Sequence, residues 1–368
     1  MKLNLFPPLE EAYTKEHLSA REAQHKAECI AFAPVVFQVA RLMVKFGILE
    51  MLRNSSDGLT RQEIARQAHL SDYAAQVLTE ASLTIGLILV DTETARFTLS
   101  KTGWFLLTDP MVRVNMDFNH DVNYEGWFRL EESLTDGRPA GLEHFGSWST
   151  VYEGLSKLPE QVQKSWFAFD HFYSDSAFPE ALAIVFDRHA TRTLLDVGGN
   201  TGRWALRCVE HDPQVEVTIM DLPQQLELMR QHTDGKPGAD RIYGYSIDLL
   251  DEEAPFPARH PYDAIWMSQF LDCFGETEIV SILTRAARIM QPDTRLYIME
   301  TFWDRQRFDT AAFCLTQISL YFTAIANGNS KMYHADDMRR LVDAAGLTVE
   351  HICDGLGQGH SLMICKLK

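Results

Sequence analysis

The stretch Leu194-Leu195-Asp196-Val197-Gly198-Gly199-Asn200-Thr201-Gly202 constrains this chain more than any other. An apolar run breaks into a glycine turn and then opens a helical pattern at Arg203-Trp204-Ala205-Leu206. Strand, tight turn and helix start let the backbone approach a ligand closely and aim free N–H groups at it. The spacing departs from the G-x-G-x-x-G of dinucleotide sites, because Asn200 stands at the second glycine position. Asp196 sits at the mouth of the turn, where a carboxylate repels a pyrophosphate but attracts a cation.

A second acid sharpens this reading. Val217-Thr218-Ile219-Met220-Asp221 is a β-branched-rich run ending in a carboxylate. It follows the turn by about 20 residues, the place where such folds hold a ribose diol. Asp196 and Asp221 around Gly198, Gly199 and Gly202 suit a ligand with an ammonium, a sulfonium and a ribose. S-adenosylmethionine has all three. The bland alternative is a plain strand–helix turn, which a lone Gly-Gly-x-x-Gly would not distinguish.

The 368 residues suffice for two domains, each with its own core. A net charge of −17 argues against nucleic acid, whose affinity comes from Lys and Arg on phosphates. Residues 1–10 lack the basic and apolar regions of a signal peptide. The apolar stretch Ala31–Ala40 is too short to span a bilayer and is closed by Arg41. Cys29, Cys208, Cys273, Cys314, Cys353 and Cys365 have no metal-ligand or redox spacing and read as reduced thiols. A cytoplasmic protein with no metal and no membrane or nucleic-acid partner is expected.

The pattern changes near residue 190. Before it the chain is mainly helical, and Ala31–Leu52 is apolar on most faces, which for one helix means burial by other protein. Thr60-Arg61-Gln62-Glu63 is a capping box. Ser71-Asp72 opens a helix to about Ile85, followed by a hairpin through Leu87–Val90 and Phe97–Leu99, a winged-helix order. The second helix has two acids and neither Lys nor Arg, so DNA reading lacks its donors and dimerisation is the better reading.

After residue 190, strand-like runs recur at Thr193–Val197, Val215–Asp221, Arg241–Asp248, Asp263–Gln269 and Arg295–Thr301, with Thr348–Cys353 and Ser361–Lys366 closing the chain. Helical patterns lie between several of them, notably Glu276–Met290 with its stripe of Ile279, Ile282, Leu283, Ala286 and Ile289. This predicts an α/β fold: a Rossmann-like, doubly wound, seven-stranded sheet with ligands at the carboxyl ends of its strands.

With these motifs in order, nearly the whole chain resembles the class I S-adenosylmethionine-dependent small-molecule O-methyltransferases of the plant caffeic acid and bacterial polyketide type. The resemblance implies a winged-helix dimerisation domain over 1–120, a helical linker contributing to the substrate pocket over 121–188, a cofactor-binding domain over 189–368, and a homodimer. The glycine motif is Asp196–Gly202 and the Asp-Leu-Pro motif is Asp221-Leu222-Pro223. It implies Asp221 on the ribose hydroxyls and Asp248 on the adenine side, with Leu222, Leu249 and Met267 or Ser268 nearby.

One departure bears on catalysis. The family commonly has Leu-His-Asp-Trp after the fourth strand, with the His as general base. Here Leu271-Asp272-Cys273-Phe274 puts Asp272 at that position, and Lys331 lies at or near that of a second supporting carboxylate. Glu300 keeps the first; a structural, backbone-bonded role is equally open to it. General-base catalysis contributes about 10²–10⁴-fold, whereas alignment contributes about 7–11 kcal/mol, so transfer can survive loss of the histidine. His171, in Phe167-Ala168-Phe169-Asp170-His171-Phe172-Tyr173, is an alternative base, though a satisfied or surface histidine is the plainer reading. Trp127, Phe128, Phe313, Tyr321 and Phe322 read as core, some of them shaping a flat pocket for an aromatic acceptor. The expected reaction is methylation of a phenolic oxygen, with a ring carbon ortho to a phenolate as the alternative. Non-transfer chemistry by a cofactor-binding relative is the other enzymatic reading.

Overall fold

The hydroxyl of Thr60 accepts the N–H of Glu63 while the Glu63 carboxylate accepts that of Thr60, so the capping box opens the helix Arg61–Gln67. The computed structural model describes residues 3–187, 190–258 and 261–368. It divides into one unit of Glu16–Asp121 and another of Met1–Lys15 with Val122–Lys368. In the first unit, Ser71 caps the helix Asp72–Thr84 through the N–H of Ala74. Strands β1 (Leu59–Thr60), β2 (Ile88–Asp91) and β3 (Arg96–Leu99) form a small antiparallel sheet ordered β1-β3-β2, completing the winged-helix arrangement.

The single helix expected over Ala31–Leu52 is instead three pieces. One ends at Ala31, a second runs Ala33–Lys45, and a third runs Ile48–Arg53. Gly47 at φ +71° is in the left-handed region, which ends a helix at little cost for glycine. Met43, Ile48, Leu49 and Leu52 are buried, while Ile30, Phe32 and Val35 are 67 %, 61 % and 53 % exposed. Among the described residues, no single helix is long and apolar enough to cross a membrane.

Seven strands of the second unit form the predicted sheet: β4 (Thr193–Val197), β5 (Glu216–Asp221), β6 (Ile242–Ser246), β7 (Ala264–Ser268), β8 (Arg295–Glu300), β9 (Leu347–Leu356) and β10 (His360–Leu367). Their order is β6-β5-β4-β7-β8-β10-β9. The first five are parallel, and β10 pairs antiparallel with both β8 and β9. Each face carries a core. On one, Ile279, Ile282, Leu283 and Ala286 of the helix Glu276–Ile289 are fully buried with Ile265, Met267, Leu296 and Ile298. On the other, Trp204 stacks on Trp266 with ring centres 4.1 Å apart, fixing the helix Arg203–His211 just beyond the glycine turn.

Phe128 and Phe313, expected in the core, are 84 % and 60 % exposed. Tyr321 and Phe322 are buried as expected. Aromatic character alone does not fix which face of a helix a residue takes.

Candidate active site

The chain runs from β4 out to β5 and β6 on one side, then returns to β7 and β8 on the other. Such a reversal opens a crevice at the carboxyl ends of the strands. The turn after β4 enters it tightly. Gly198 has φ +74°, and its N–H donates to the Met220 carbonyl at 2.8 Å. A Cβ on Gly198 would sit 2.2 Å from the Phe270 ring. Asn200 (φ +48°) and Gln269 (φ +43°) hold left-handed conformations without being glycine, an outlier type that concentrates at binding sites.

Asp221 ties this turn to β5. One carboxylate oxygen accepts the N–H of Asn200 at 2.9 Å and the other accepts that of Leu222 at 2.7 Å. Burial nevertheless pushes its pKa up to about 6 against those two bonds. A cavity of about 350 Å³ opens here. Gly198, Asp221, Leu222, Asp248 and Leu249, all expected in the cofactor site, line it.

Other expected residues lie behind the cavity wall. Asp196 is only 2 % exposed, and a Cβ on Gly199 would come 2.6 Å from its Oδ2. The carboxylate therefore sits beneath the turn rather than at its mouth, and Oδ2 has no hydrogen-bond partner. Burial first, and Asp221 second, raise its pKa to about 8. Gly202 packs against Met229 and Thr233 at the start of the next helix. Met267 is fully buried in the apolar core on one face of the sheet and does not line the cavity. Ser268 does not line the cavity, although its buried Oγ lacks a partner.

The lining residues fit S-adenosylmethionine through groups that sequence reading did not single out. The amide oxygens of Asn200, Gln225 and Gln269 are buried without a hydrogen-bond partner, and all three residues line the cavity. Buried acceptors left open beside a cavity call for a donor-bearing ligand. Ribose hydroxyls and amines provide such donors, and positive charge suits Asp221 and Asp248.

The same cavity is also lined by Tyr152, Trp166, Asp170, Phe270, Cys273, Phe274 and Asn327, with the Phe270 ring against Gly198. Trp166 and Asp170 stand one turn apart on the helix Glu160–Ser174 and so share a face. Trp166 Nε1 donates to the Tyr321 hydroxyl at 2.7 Å, while Asn327 Nδ2 donates to the Cys273 carbonyl at 2.6 Å. His171 belongs to another face of that helix. It stacks on Phe167, and burial together with Arg203 lowers its pKa. It lines no part of the cavity, whereas its neighbour Asp170 does.

Glu300, at the end of β8, accepts the N–H groups of Phe270 and Leu271 at 3.1 and 2.9 Å through one oxygen. Its other oxygen is buried and unpartnered. This arrangement supports the structural role: Glu300 holds the turn that presents Asp272. Asp272 is 6 % exposed and, like Glu300, does not itself line the cavity; Cys273 Sγ, which is in the lining, donates to its Oδ1 at 3.5 Å. Burial, reinforced by the charge of Asp170, raises its pKa to about 7. Asp170 is likewise raised to about 7 by burial and by Asp175, against the opposing pull of Arg203.

These shifts predict a pH dependence. Asp196 has a folded pKa near 8 against an ordinary value of about 3.9, so the folded chain holds the proton over a range where the unfolded chain has lost it. Its contribution is fully present at low pH and is lost as pH rises towards 8, at up to about 1.4 kcal/mol per pH unit. Asp170 and Asp272 act in the same direction through about pH 7. Thermal melts without cofactor should therefore fall between pH 6.5 and 8, and S-adenosylmethionine should raise the midpoint more at pH 8. A flat or rising profile would contradict these carboxyl environments.

Comparison with known proteins agrees with this geometry. Residues 24–97 match the Dimerisation2-like domain, and residues 169–348 match the O-methyltransferase domain. The chain is 24 % identical over 325 residues to L-tyrosine C(3)-methyltransferase of Streptomyces lavendulae, covering 87 % of this chain and 86 % of that protein. It is also 24 % identical over 311 residues to the mitomycin biosynthesis 6-O-methyltransferase of the same organism, covering 83 % and 84 %. Among solved structures, the S-adenosylmethionine-dependent methyltransferase SibL superposes with a TM-score of 0.69 at 20 % identity, covering 92 % of this chain and 98 % of that one. A winged-helix dimerisation unit, a doubly wound sheet and a glycine turn tied to the Asp221 carboxylate thus occur together, and the chain belongs to the S-adenosylmethionine-dependent O-methyltransferase family.

Proposed function

We propose that this enzyme methylates an aromatic small molecule of phenolic type, as a homodimer in the cytoplasm and within secondary metabolism. The observation that carries this is the continuity of one cavity, from Gly198, Asp221 and Asp248 to Tyr152, Trp166 and Asp170. Cofactor and acceptor would then share one continuous space. When bound, S-adenosylmethionine supplies an electrophilic methyl group on its sulfonium.

The chain's residues do the rest. Asp221 accepts the ribose hydroxyls and Asp248 serves the adenine side. Trp166 and Tyr152 flank the flat acceptor, excluding water and aligning its nucleophilic atom. Residues 121–188 thus contribute Tyr152, Trp166 and Asp170 to the acceptor side, and residues 189–368 contribute the cofactor side together with Cys273, Phe274 and Asn327. Asp272, just behind Cys273 of the cavity wall, is the group to which we assign the phenolic proton, and Glu300 positions it through the Phe270–Leu271 backbone. At an ordinary pKa near 4, a proton moving from a phenol near 10 faces a gap of about 6 units, or about 8 kcal/mol. With the carboxyl pushed up to about 7, the gap is about 3 units, or about 4 kcal/mol.

Ring carbon is the second reading. L-tyrosine C(3)-methyltransferase is among the relatives, and Asp272 stands where the family commonly has histidine. Reaction with methyl-¹³C-labelled cofactor and a panel of phenols, followed by NMR, separates the two. A methoxy carbon is expected, and an aryl methyl carbon would select the alternative. Label in no aromatic product would remove the proposal.

The exposed Ile30, Phe32 and Val35 support the dimer, because contiguous apolar side chains on such a unit mark a protein interface. Light scattering at micromolar concentration should give twice the 41.9 kDa chain mass. A monomer that remains active would contradict this assembly.

A further inference from the structure

We infer that the acceptor is an aromatic molecule carrying a protonated amine, bound with its cationic side toward Asp170. This deepens the methyl-transfer reading and rests on it. Among the described residues, no Lys, Arg or His lines the cavity, whereas Glu153, Asp170, Asp221, Asp248 and Glu278 do. Three of these have other work. Asp221 holds the glycine turn, Asp248 belongs to the nucleotide side, and Glu278 accepts the N–H of Gly275 at 2.6 Å. Asp170, partly buried, and Glu153, exposed, remain for the acceptor.

Asp272 adds to them from directly behind Cys273, and Glu300 from behind Asp272. Arg203, the guanidinium that acts on Asp170, is itself paired with Asp175. Burial and mutual repulsion both disfavour the charged forms of these carboxyls, and an ammonium group would relieve both. The aromatic rings of Tyr152 and Trp166, which line the same cavity as Asp170, add a second attraction for a cation. His171 lies 3.8 Å from Asp170 but outside the lining, so an acceptor with a free carboxylate would bring another negative charge into a cavity whose described lining has no cationic side chain.

Three phenols that share a ring and a two-carbon arm test this: tyramine (cation), 4-propylphenol (neutral) and 3-(4-hydroxyphenyl)propionate (anion). Each is titrated into wild-type protein saturated with S-adenosylhomocysteine. Tyramine should bind at least about tenfold more tightly than the propionate, the scale of one charge-assisted contact. Asp170→Asn should largely abolish that preference and Asp170→Glu should retain it, with S-adenosylhomocysteine affinity unchanged in both. Equal binding, tighter binding of the anion, binding of none of the three, or a preference that survives Asp170→Asn would overturn the inference. The wild-type ranking decides even if a variant fails to fold. Failure of S-adenosylhomocysteine to bind would be a failure of the methyl-transfer reading and not of this inference.

Discussion

Asp272→Asn is expected to lower kcat by about 10²-fold or more while S-adenosylmethionine affinity stays the same. The substitution keeps the shape of the side chain and one acceptor oxygen but removes the charge and the proton affinity. Asp272 occupies the turn after β7, held by Glu300 through two backbone N–H groups and raised by burial into the range where a carboxylate can accept a proton near neutral pH. Steady-state kinetics with a turned-over phenol distinguishes the roles. A fall in kcat at constant acceptor KM marks a base, whereas a smaller loss confined to KM marks an orienting acceptor. Asp272→His is the complementary variant, and it should retain activity on a phenol. Full activity in both would leave Asp272 without a chemical role and move attention to Asp170.

The second large effect concerns the cofactor. Asp221→Ala should weaken S-adenosylmethionine binding by about 1.5–3 kcal/mol, or roughly 10- to 150-fold, the scale of charge-assisted hydrogen bonds to hydroxyls. Part of this loss has a local origin, since the same carboxylate accepts the N–H groups of Asn200 and Leu222. Asp221→Asn separates the contributions: it keeps oxygen for one backbone bond but loses the charge. Calorimetric titration with circular dichroism as the fold control reads both variants. Unchanged affinity in Asp221→Ala would remove the ribose assignment.

The sheet was legible because its inner strands β4, β7, β8 and β10 are buried on both faces and its strands are bounded by turn residues. β4 follows the predicted Thr193–Val197, and the other six strands begin within one residue of their predicted starts. Asp221 was legible for a related reason, as a carboxylate ending a β-branched run. Asp196 was found as a motif but misplaced in depth, because sequence shows that a glycine turn follows and not that the turn folds over the carboxylate. The acceptor end was harder to read. Choosing between Asp170 and His171 required the rotational phase of the helix Glu160–Ser174, and that helix is amphipathic without a clean apolar stripe. Gln269 ends a predicted strand and so falls where ligands bind, whereas Asn327 comes from a loop far away in sequence and nothing local marks it as cavity lining. The break at Gly47 carried a signal in its glycine, which the length of the apolar run outweighed.

Acceptor-dependent formation of S-adenosylhomocysteine tests the central claim most directly, because it joins the two ends of the cavity in one reaction. Wild-type protein given S-adenosylmethionine and a phenolic acceptor should form S-adenosylhomocysteine and methylated product in equal amounts. Asp221→Ala should lower the rate through cofactor affinity, and Asp272→Asn should lower it at saturation. Tight cofactor binding with no acceptor-dependent S-adenosylhomocysteine across phenols and aromatic amines would contradict the account, because the cavity would then hold the cofactor for chemistry other than methyl transfer to an aromatic acceptor.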